Sequence, residues 1–308
     1  MLVKPRRVFP ETLFVLRGSA LYDNWPILIG LTVFAFISTE VLYALGVERF
    51  NLSVTPFSLI GLALSIFLGF RNNACYDRWW EARKLWGALI NTTRSIARQT
   101  LNFVNSDDPA VRSFHQEMVR RTIGFAYGLK YHLRAEVRLD AVTAWLPDED
   151  GAALVEEENV PNALIQRMGE RYRMAWKRGW IDTYHMNIFE GSLTRLSDIQ
   201  GGCERIKNTP VPLSYTVLTH RLVALYCLTL PFGIASTVGH TTPIVVLIVS
   251  FAFLGLDSLG TQLEDPFELD PNDLPLAALA RTIEINLLQR IGESELPSPT
   301  RPMGGILE

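Results

Sequence analysis

Two apolar blocks frame a long polar middle. Residues 25–47 carry no formal charge before Glu40, and residues 50–70 read FNLSVTPFSLIGLALSIFLGF before breaking into Arg71-Asn72-Asn73. A helix rises ~1.5 Å per residue, so ~20 such residues cross the ~30 Å of hydrocarbon in a bilayer. The second block, residues 222–256, has no Asp, Glu, Lys or Arg and is too long for one crossing. Its break is Gly239-His240, flanked by Thr237, Thr241, Thr242 and Pro243. The pattern therefore predicts four membrane helices, at about 25–47, 54–71, 215–236 and 241–257. Pro26 and Pro56 are expected in first helical turns, where proline is tolerated. The fourth helix is short and is expected to tilt or to end at Asp257 inside protein.

The polar remainder, residues 72–213 and 258–308, reads as helical. Residues 77–103 place Trp79, Trp80, Leu85, Leu89, Ile96 and Leu101 at three- and four-residue spacing, and no breaker separates them from the second span. One helix is expected to leave the membrane intact. Further helices are expected over 111–133, 161–177, 181–205 and 276–291, with a loop at 147–151 and a loose proline-rich tail at 297–308. No strand-forming alternation and no internal repeat stand out. The fold class is all-α: an integral membrane protein with four transmembrane helices and a helical cytoplasmic domain.

Orientation follows from the basic residues. Lys4, Arg6, Arg7 and Arg17 precede the first span, and Arg71, Arg78, Arg83, Lys84 and Arg94 follow the second. The loop between these spans holds Arg49 beside Glu48, and the loop between spans three and four holds no lysine or arginine. Positive residues stay on the cytoplasmic side, which puts both termini and the polar middle there. The N-terminal stretch has no continuous apolar core and is not expected to be a removable signal peptide.

Within the second span, Leu62, Ile66 and Phe70 recur every four residues as a bulky apolar stripe, beside a small-residue stripe of Gly61, Ser65 and Gly69. Small residues let helices approach closely in lipid. A bulky stripe next to such a face can pack a bundle, or can face a shared axis as a hydrophobic gate. Spacing alone leaves both open.

Composition narrows the class. The chain has 308 residues, 48% hydrophobic and 20% charged, with net charge −3. Nothing here suits a nucleic-acid polyanion. Cys75, Cys203 and Cys227 form no CxxC pair, which argues against a disulfide framework and a structural zinc site. None of His115, His132, His185, His220 and His240 follows a glutamate by three residues, and Asp182-x-x-His185 reads as a surface pair. Phosphate-binding loops, dinucleotide fingerprints and nucleophile elbows are absent, so no catalysis is expected. Few intramembrane charges and no inverted repeat argue against a secondary transporter.

Three clusters carry a resemblance. The first is Phe67-Leu68-Gly69-Phe70-Arg71-Asn72-Asn73, continued by Tyr76-Asp77-Arg78-Trp79-Trp80-Glu81. The second is Gly201-Gly202-Cys203-Glu204-Arg205 with Thr209-Pro210-Val211-Pro212. The third is Leu263-Glu264-Asp265-Pro266-Phe267 with Asn272-Asp273-Leu274-Pro275-Leu276. Together they resemble the bestrophin family, and its bacterial branch most, over nearly the whole chain.

The resemblance implies a homopentameric ion channel in the bacterial inner membrane, its partners being further copies of itself, membrane lipid and permeant inorganic ions. Its second membrane helix would line an axial neck, whose three apolar rings fall on Leu62, Ile66 and Phe70. A cytoplasmic aperture falls on Tyr184. Chloride is the favoured ion because animal and plant relatives chiefly pass anions. A monovalent-cation channel of the same architecture is the alternative, and a membrane-anchored scaffold is the alternative of a different class. Animal members bind calcium after the fourth span, where this chain keeps Asp270 and Asp273 with Pro271 and Asn272 between them. Two carboxylates are too few for calcium's six to eight oxygens, so no cofactor is expected, and Asn272 or Asp273 is read as capping the last helix. Arg71 is expected to serve in a salt bridge, with Asp77 or Glu81.

Overall fold

The computed structural model describes residues 1, 20–46, 53–303 and 305–307. Lys4, Arg6, Arg7, Arg17, Glu48 and Arg49, on which the orientation partly rests, lie outside these, as do residues 50–52. The described residues form ten α-helices: α1 Ala20–Leu45, α2 Val54–Phe103, α3 Ala110–Leu133, α4 Leu139–Thr143, α5 Asp148–Ala153, α6 Val160–Lys177, α7 Thr183–Asn208, α8 Leu213–Val238, α9 Thr242–Glu264 and α10 Leu276–Arg290. A single 3-10 turn, Gly239–Thr241, joins α8 to α9. The chain divides into two compact units, one of residues 4–79 and 210–266 and one of residues 1–3, 80–209 and 267–308.

The first unit is apolar. Its core gathers Leu31 and Ala35 of α1, Leu64 and Leu68 of α2, Val223, Cys227 and Leu230 of α8, and Val246 of α9. Three stretches are long and apolar enough to cross a membrane: Asn24–Leu45, Val54–Phe103 and Leu213–Glu264. The third is the α8–turn–α9 pair. Gly239 makes the turn at φ +65°, a left-handed conformation that costs glycine little. Hydroxyls inside this unit bond back to their own helix: Thr32 Oγ1 donates to the Leu28 carbonyl and Thr39 Oγ1 to that of Ala35. Such local bonds satisfy polar groups where no water reaches. Two expectations change here. Helix α1 begins at Ala20, so Pro26 lies in the helix interior, where its missing N–H removes a backbone bond. Helix α9 does not stop at Asp257 but runs on to Glu264, because that carboxylate finds a cation inside the bundle.

The second unit is a helical assembly around α3. Met118, Ile123, Phe125 and Leu129 of that helix are fully buried. Tyr172 of α6 stacks on Phe189 of α7 at 4.0 Å between centroids, and its hydroxyl lies 2.7 Å from Thr100 Oγ1 of α2. A buried ion network adds direction to this apolar packing. Arg121 of α3, its side chain 3% exposed, pairs with Glu117 and with Asp150 of α5, and Asp150 also takes Arg167 of α6 at 2.9 Å. That network explains a correction: residues 148–151, expected in a loop, belong to the short helix α5. Asp148, Glu149 and Asp150 fill its first turn, where the helix dipole favours negative charge.

Helix α2 bears out the expected continuity. Its 50 residues contain no proline after the first turn, and those up to Trp79 belong to the apolar unit. Helix α7 is capped by Asp182, whose carboxylate accepts from the His185 N–H at 2.8 Å. The isolated DxxH is thus a helix cap, with the His185 ring 3.2 Å from the same carboxylate.

Candidate conduction site

Helix α2 presents two opposed stripes within the apolar unit. Gly61, Leu64, Leu68, Arg71 and Cys75 are buried, at a three-four spacing that keeps one face of a helix turned inward. Leu62, Ile66 and Phe70 are 61%, 50% and 65% exposed. At 3.6 residues per turn the second stripe lies almost diametrically opposite the first. The bulky stripe therefore does not pack its own bundle.

The small-residue stripe is used only in part within the chain. A Cβ on Gly61 would sit 2.6 Å from the Tyr226 hydroxyl of α8, so this glycine sets a close helix approach. Ser65 is exposed, and Gly69 has no neighbour within 4 Å of where its Cβ would stand. The inward face is built instead from leucines, with glycine at one crossing point.

Immediately after Phe70, a charge is buried. The Arg71 side chain is inaccessible, and its Nη1 donates to Asp257 Oδ1 of α9 at 2.8 Å and to the Asp257 carbonyl at 3.2 Å. Its Nη2 donates to Thr261 Oγ1 at 2.9 Å and stands 3.6 Å from Glu264 Oε2. The α9 residues Asp257, Gly260, Thr261 and Glu264 share one face by spacing, and Gly260 leaves the room that the guanidinium fills: its Cβ would meet Arg71 Nη1 at 3.3 Å and Asn72 Oδ1 at 2.5 Å. Salt-bridge duty is confirmed for Arg71, but with Asp257 in place of Asp77 or Glu81. Its burial removes it from any surface where it could draw anions. The carboxylate Asp257 also faces His220 Nε2 of α8 at 3.3 Å. Asp257, Thr261 and His220 were not singled out as site residues in the sequence, because pairing across α2, α8 and α9 has no signature in spacing.

In the helical unit, Tyr184 sits in the first turn of α7 and is 81% exposed. Asp270 and Asp273 lie in the loop before α10. The Asp270 N–H donates to Asp273 Oδ2 at 2.8 Å, and the Asp273 N–H returns to the Asp270 carbonyl at 3.0 Å. Asp273 closes its own turn and does not cap α10, whose first turn follows Pro275 without a side-chain cap. Burial pushes its carboxyl up to about 7, the amide of Asp270 pulls down, and the nearby charges of Asp270 and Glu268 raise it further. The donor set does not fit calcium. Among the described residues no three His, Cys, Asp or Glu side chains converge, and one Asp273 oxygen already accepts the Asp270 amide.

A profile described as Bacterial/Fungal Bestrophin protein matches residues 1–289. The chain belongs to the bestrophin family. Among its relatives is a protein of Mesorhizobium japonicum described as voltage-dependent anion channel-forming, 36% identical over 294 residues that cover 96% of this chain and 93% of the relative. A protein of Ralstonia nicotianae with the same description is 37% identical over 310 residues, spanning both chains in full. The crystal structure of a bacterial bestrophin homolog from Klebsiella pneumoniae superposes with a TM-score of 0.82 at 34% identity, covering 89% of this chain and all of that one.

In this bestrophin the motifs that carried the resemblance meet one another. Glu81, beside the tryptophan pair, takes Arg205 of the Gly-Gly-Cys-Glu-Arg segment at 2.5 Å. A Cβ on Gly202 of that segment would sit 3.0 Å from Leu85, so the glycine lets α7 lie against α2. Glu204 gathers His132, Gln200 and Asn159 within 3.0 Å. Arg78 Nε donates to the Glu264 carbonyl at 3.1 Å, and buried Phe267 accepts Arg134 Nε through its carbonyl at 3.2 Å. These motifs hold helices together; of the exposed stripe, Leu62 and Ile66 lie outside them and Phe70 inside the first.

Proposed function

We propose that five copies of this bestrophin surround an axis and pass monovalent anions, chloride foremost, through a neck lined by Leu62, Ile66 and Phe70. One observation carries the reading. Three bulky apolar side chains, each half or more exposed, lie on the face of α2 turned away from its own bundle. In water such a stripe is costly, and in lipid it needs no such regular register. On a five-fold axis it becomes three stacked apolar rings. An apolar constriction conducts while it stays wetted and blocks ions when it expels water, because nothing there replaces their hydration. The channel-forming descriptions of the relatives support the same conclusion, and anion passage is taken from those descriptions.

The same reading has α1, α2, α8 and α9 crossing a bacterial inner membrane four times, with both termini and the helical unit in the cytoplasm. Tyr184 would line a second, cytoplasmic aperture. No calcium step is included, since Asp270 and Asp273 do not supply a site.

A second reading, cation passage, rests on Asp182. Its carboxylate is 59% exposed and stands two residues from Tyr184. Five such carboxylates around an aperture would favour cations.

The test is salt-driven flux and reversal potential in proteoliposomes holding only this chain. Ile66→Ala, which widens the middle ring, is expected to raise flux several-fold, on the scale of a ring that governs wetting. Unchanged flux would remove the neck assignment. A reversal potential that follows the cation gradient would replace chloride by the second reading, and no flux at all would leave a scaffold.

A further inference from the structure

The cluster behind Phe70 is more than an anchor. Arg71 is the next residue along α2, so whatever holds its guanidinium also holds the rotation and height of the last ring side chain. Three helices contribute. Asp257 of α9 binds Arg71 through Oδ1 and stands 3.3 Å from His220 Nε2 of α8 through Oδ2. The exposures run in order: 44% for the His220 side chain, 13% for Asp257 and none for Arg71. His220 is thus the accessible member of the series in the single chain and Arg71 the buried one.

The surrounding charges set the sense of that effect. On α2 stand Arg71 and Arg78, with the buried thiol of Cys75. On α9 and just beyond it stand Asp257, Glu264 and Asp265. On α8 stand His220 and the phenol of Tyr215, which donates to the Phe67 carbonyl at 3.1 Å. With His220 neutral, two guanidiniums face three carboxylates. Protonation brings the count to three against three and gives Asp257 a second cation to share between α2 and α8. The pairing has room to change, because Arg71 Nε and Asn72 Oδ1 are buried without partners in the present arrangement.

We propose that His220, Asp257 and Arg71 form a relay by which proton binding at this end of the apolar bundle sets the position of Phe70, making conduction depend on pH near neutrality. Histidine is the side chain whose charge changes in that range. His220 is a positioning residue here, acting on the neck through two others. The proposal rests on the reading of Phe70 as a ring of the neck.

The experiment is ion flux through the full chain in proteoliposomes, with the same pH on both sides. Wild-type flux should differ about threefold or more between about pH 6 and about pH 8, as expected when histidine charge controls a gate. His220→Gln keeps a polar, half-exposed group, so the oligomer should form in wild-type yield, and its flux should be flat across that range. Phe70→Ala should change flux and abolish the pH step together. A pH-independent wild type, or a His220→Gln channel that keeps the wild-type profile, overturns the relay. If Phe70→Ala changes flux but preserves the pH ratio, the relay falls and the neck stands. If Phe70→Ala leaves flux untouched at every pH, the neck reading fails and takes the relay with it.

Discussion

The two units of this bestrophin satisfy their buried polar groups in different ways. In the helical unit some hydroxyls bond back to their own helix, as Thr122 Oγ1 does to the Met118 carbonyl at 2.8 Å, but buried bonds also cross between helices. Thr100 reaches Tyr172, Ser192 Oγ donates to Gln99 Oε1 at 2.8 Å, and Arg121 joins α3 to α5. In the apolar unit the hydroxyls of Thr32, Ser38, Thr39 and Ser65 bond to carbonyls three or four residues back on their own helix. Cross-helix polar contacts there gather where residues 67–78 of α2 meet the start of α8 and the end of α9, above all around Arg71. The difference follows from the solvent each surface expects. Where water competes for every polar group, a cross-helix hydrogen bond selects one packing among several. Where it is excluded, hydroxyls are satisfied locally and shape alone mates the helices. Arg71 is the most deeply buried of these cross-helix groups in the apolar unit, and it lies next to the stripe proposed for conduction.

The largest test of that contrast is Arg71→Ala. It leaves Asp257 buried with one partner fewer, and breaking a buried pair from one side costs about 3–5 kcal/mol. Yield of folded oligomer should collapse, and Arg71→Met with Asp257→Leu should recover at least half of it. If the double replacement is no better than the single one, the pair is not what the cluster contributes. Asp273 probes the helical unit by pH. Its carboxyl, raised to about 7 by burial, keeps its proton in the folded state while the unfolded chain releases it near 3.8. The stabilisation is complete below about pH 4, declines as pH rises, and is gone above about 7. Asp273→Asn should remove that slope and raise the unfolding free energy at pH 8 relative to wild type by on the order of 2 kcal/mol. A melting curve equally steep in pH for both proteins would refute the assignment.

Smaller effects separate the two kinds of hydroxyl. Tyr172→Phe deletes a cross-helix bond in the helical unit and should cost about 1 kcal/mol in chemical denaturation. Thr39→Val deletes only a bond back to Ala35 and should stay within about 0.5 kcal/mol. Equal costs at both positions would erase the distinction between the units.

Much of the helical framework was readable in advance. Apolar length, proline position and the absence of a breaker after Arg71 foretold α2, and the expected ends of α3, α6 and α10 fall within a residue or two of those observed. The misses share a cause. The expectation for Pro26 fails because composition cannot show that α1 starts at Ala20, and that of a loop at 147–151 fails because Arg121 and Arg167 lie outside any local window around Asp150. Of the small stripe of α2, Gly61 packs within the chain, while Ser65 and Gly69 meet no neighbouring helix of the same chain.

What the sequence determined by itself is local: which segments are helical, which are apolar enough for a membrane, and that Leu62, Ile66 and Phe70 share a face. Helical periodicity follows from bonds four residues apart, so it survives without knowledge of the fold. Only the tertiary structure decided that this face is the free one. It also gave Arg71 to Asp257, 186 residues away, with His220 on the other side of that carboxylate. Those choices depend on the register between helices, which is set by side chains meeting at a crossing and is written in no single segment.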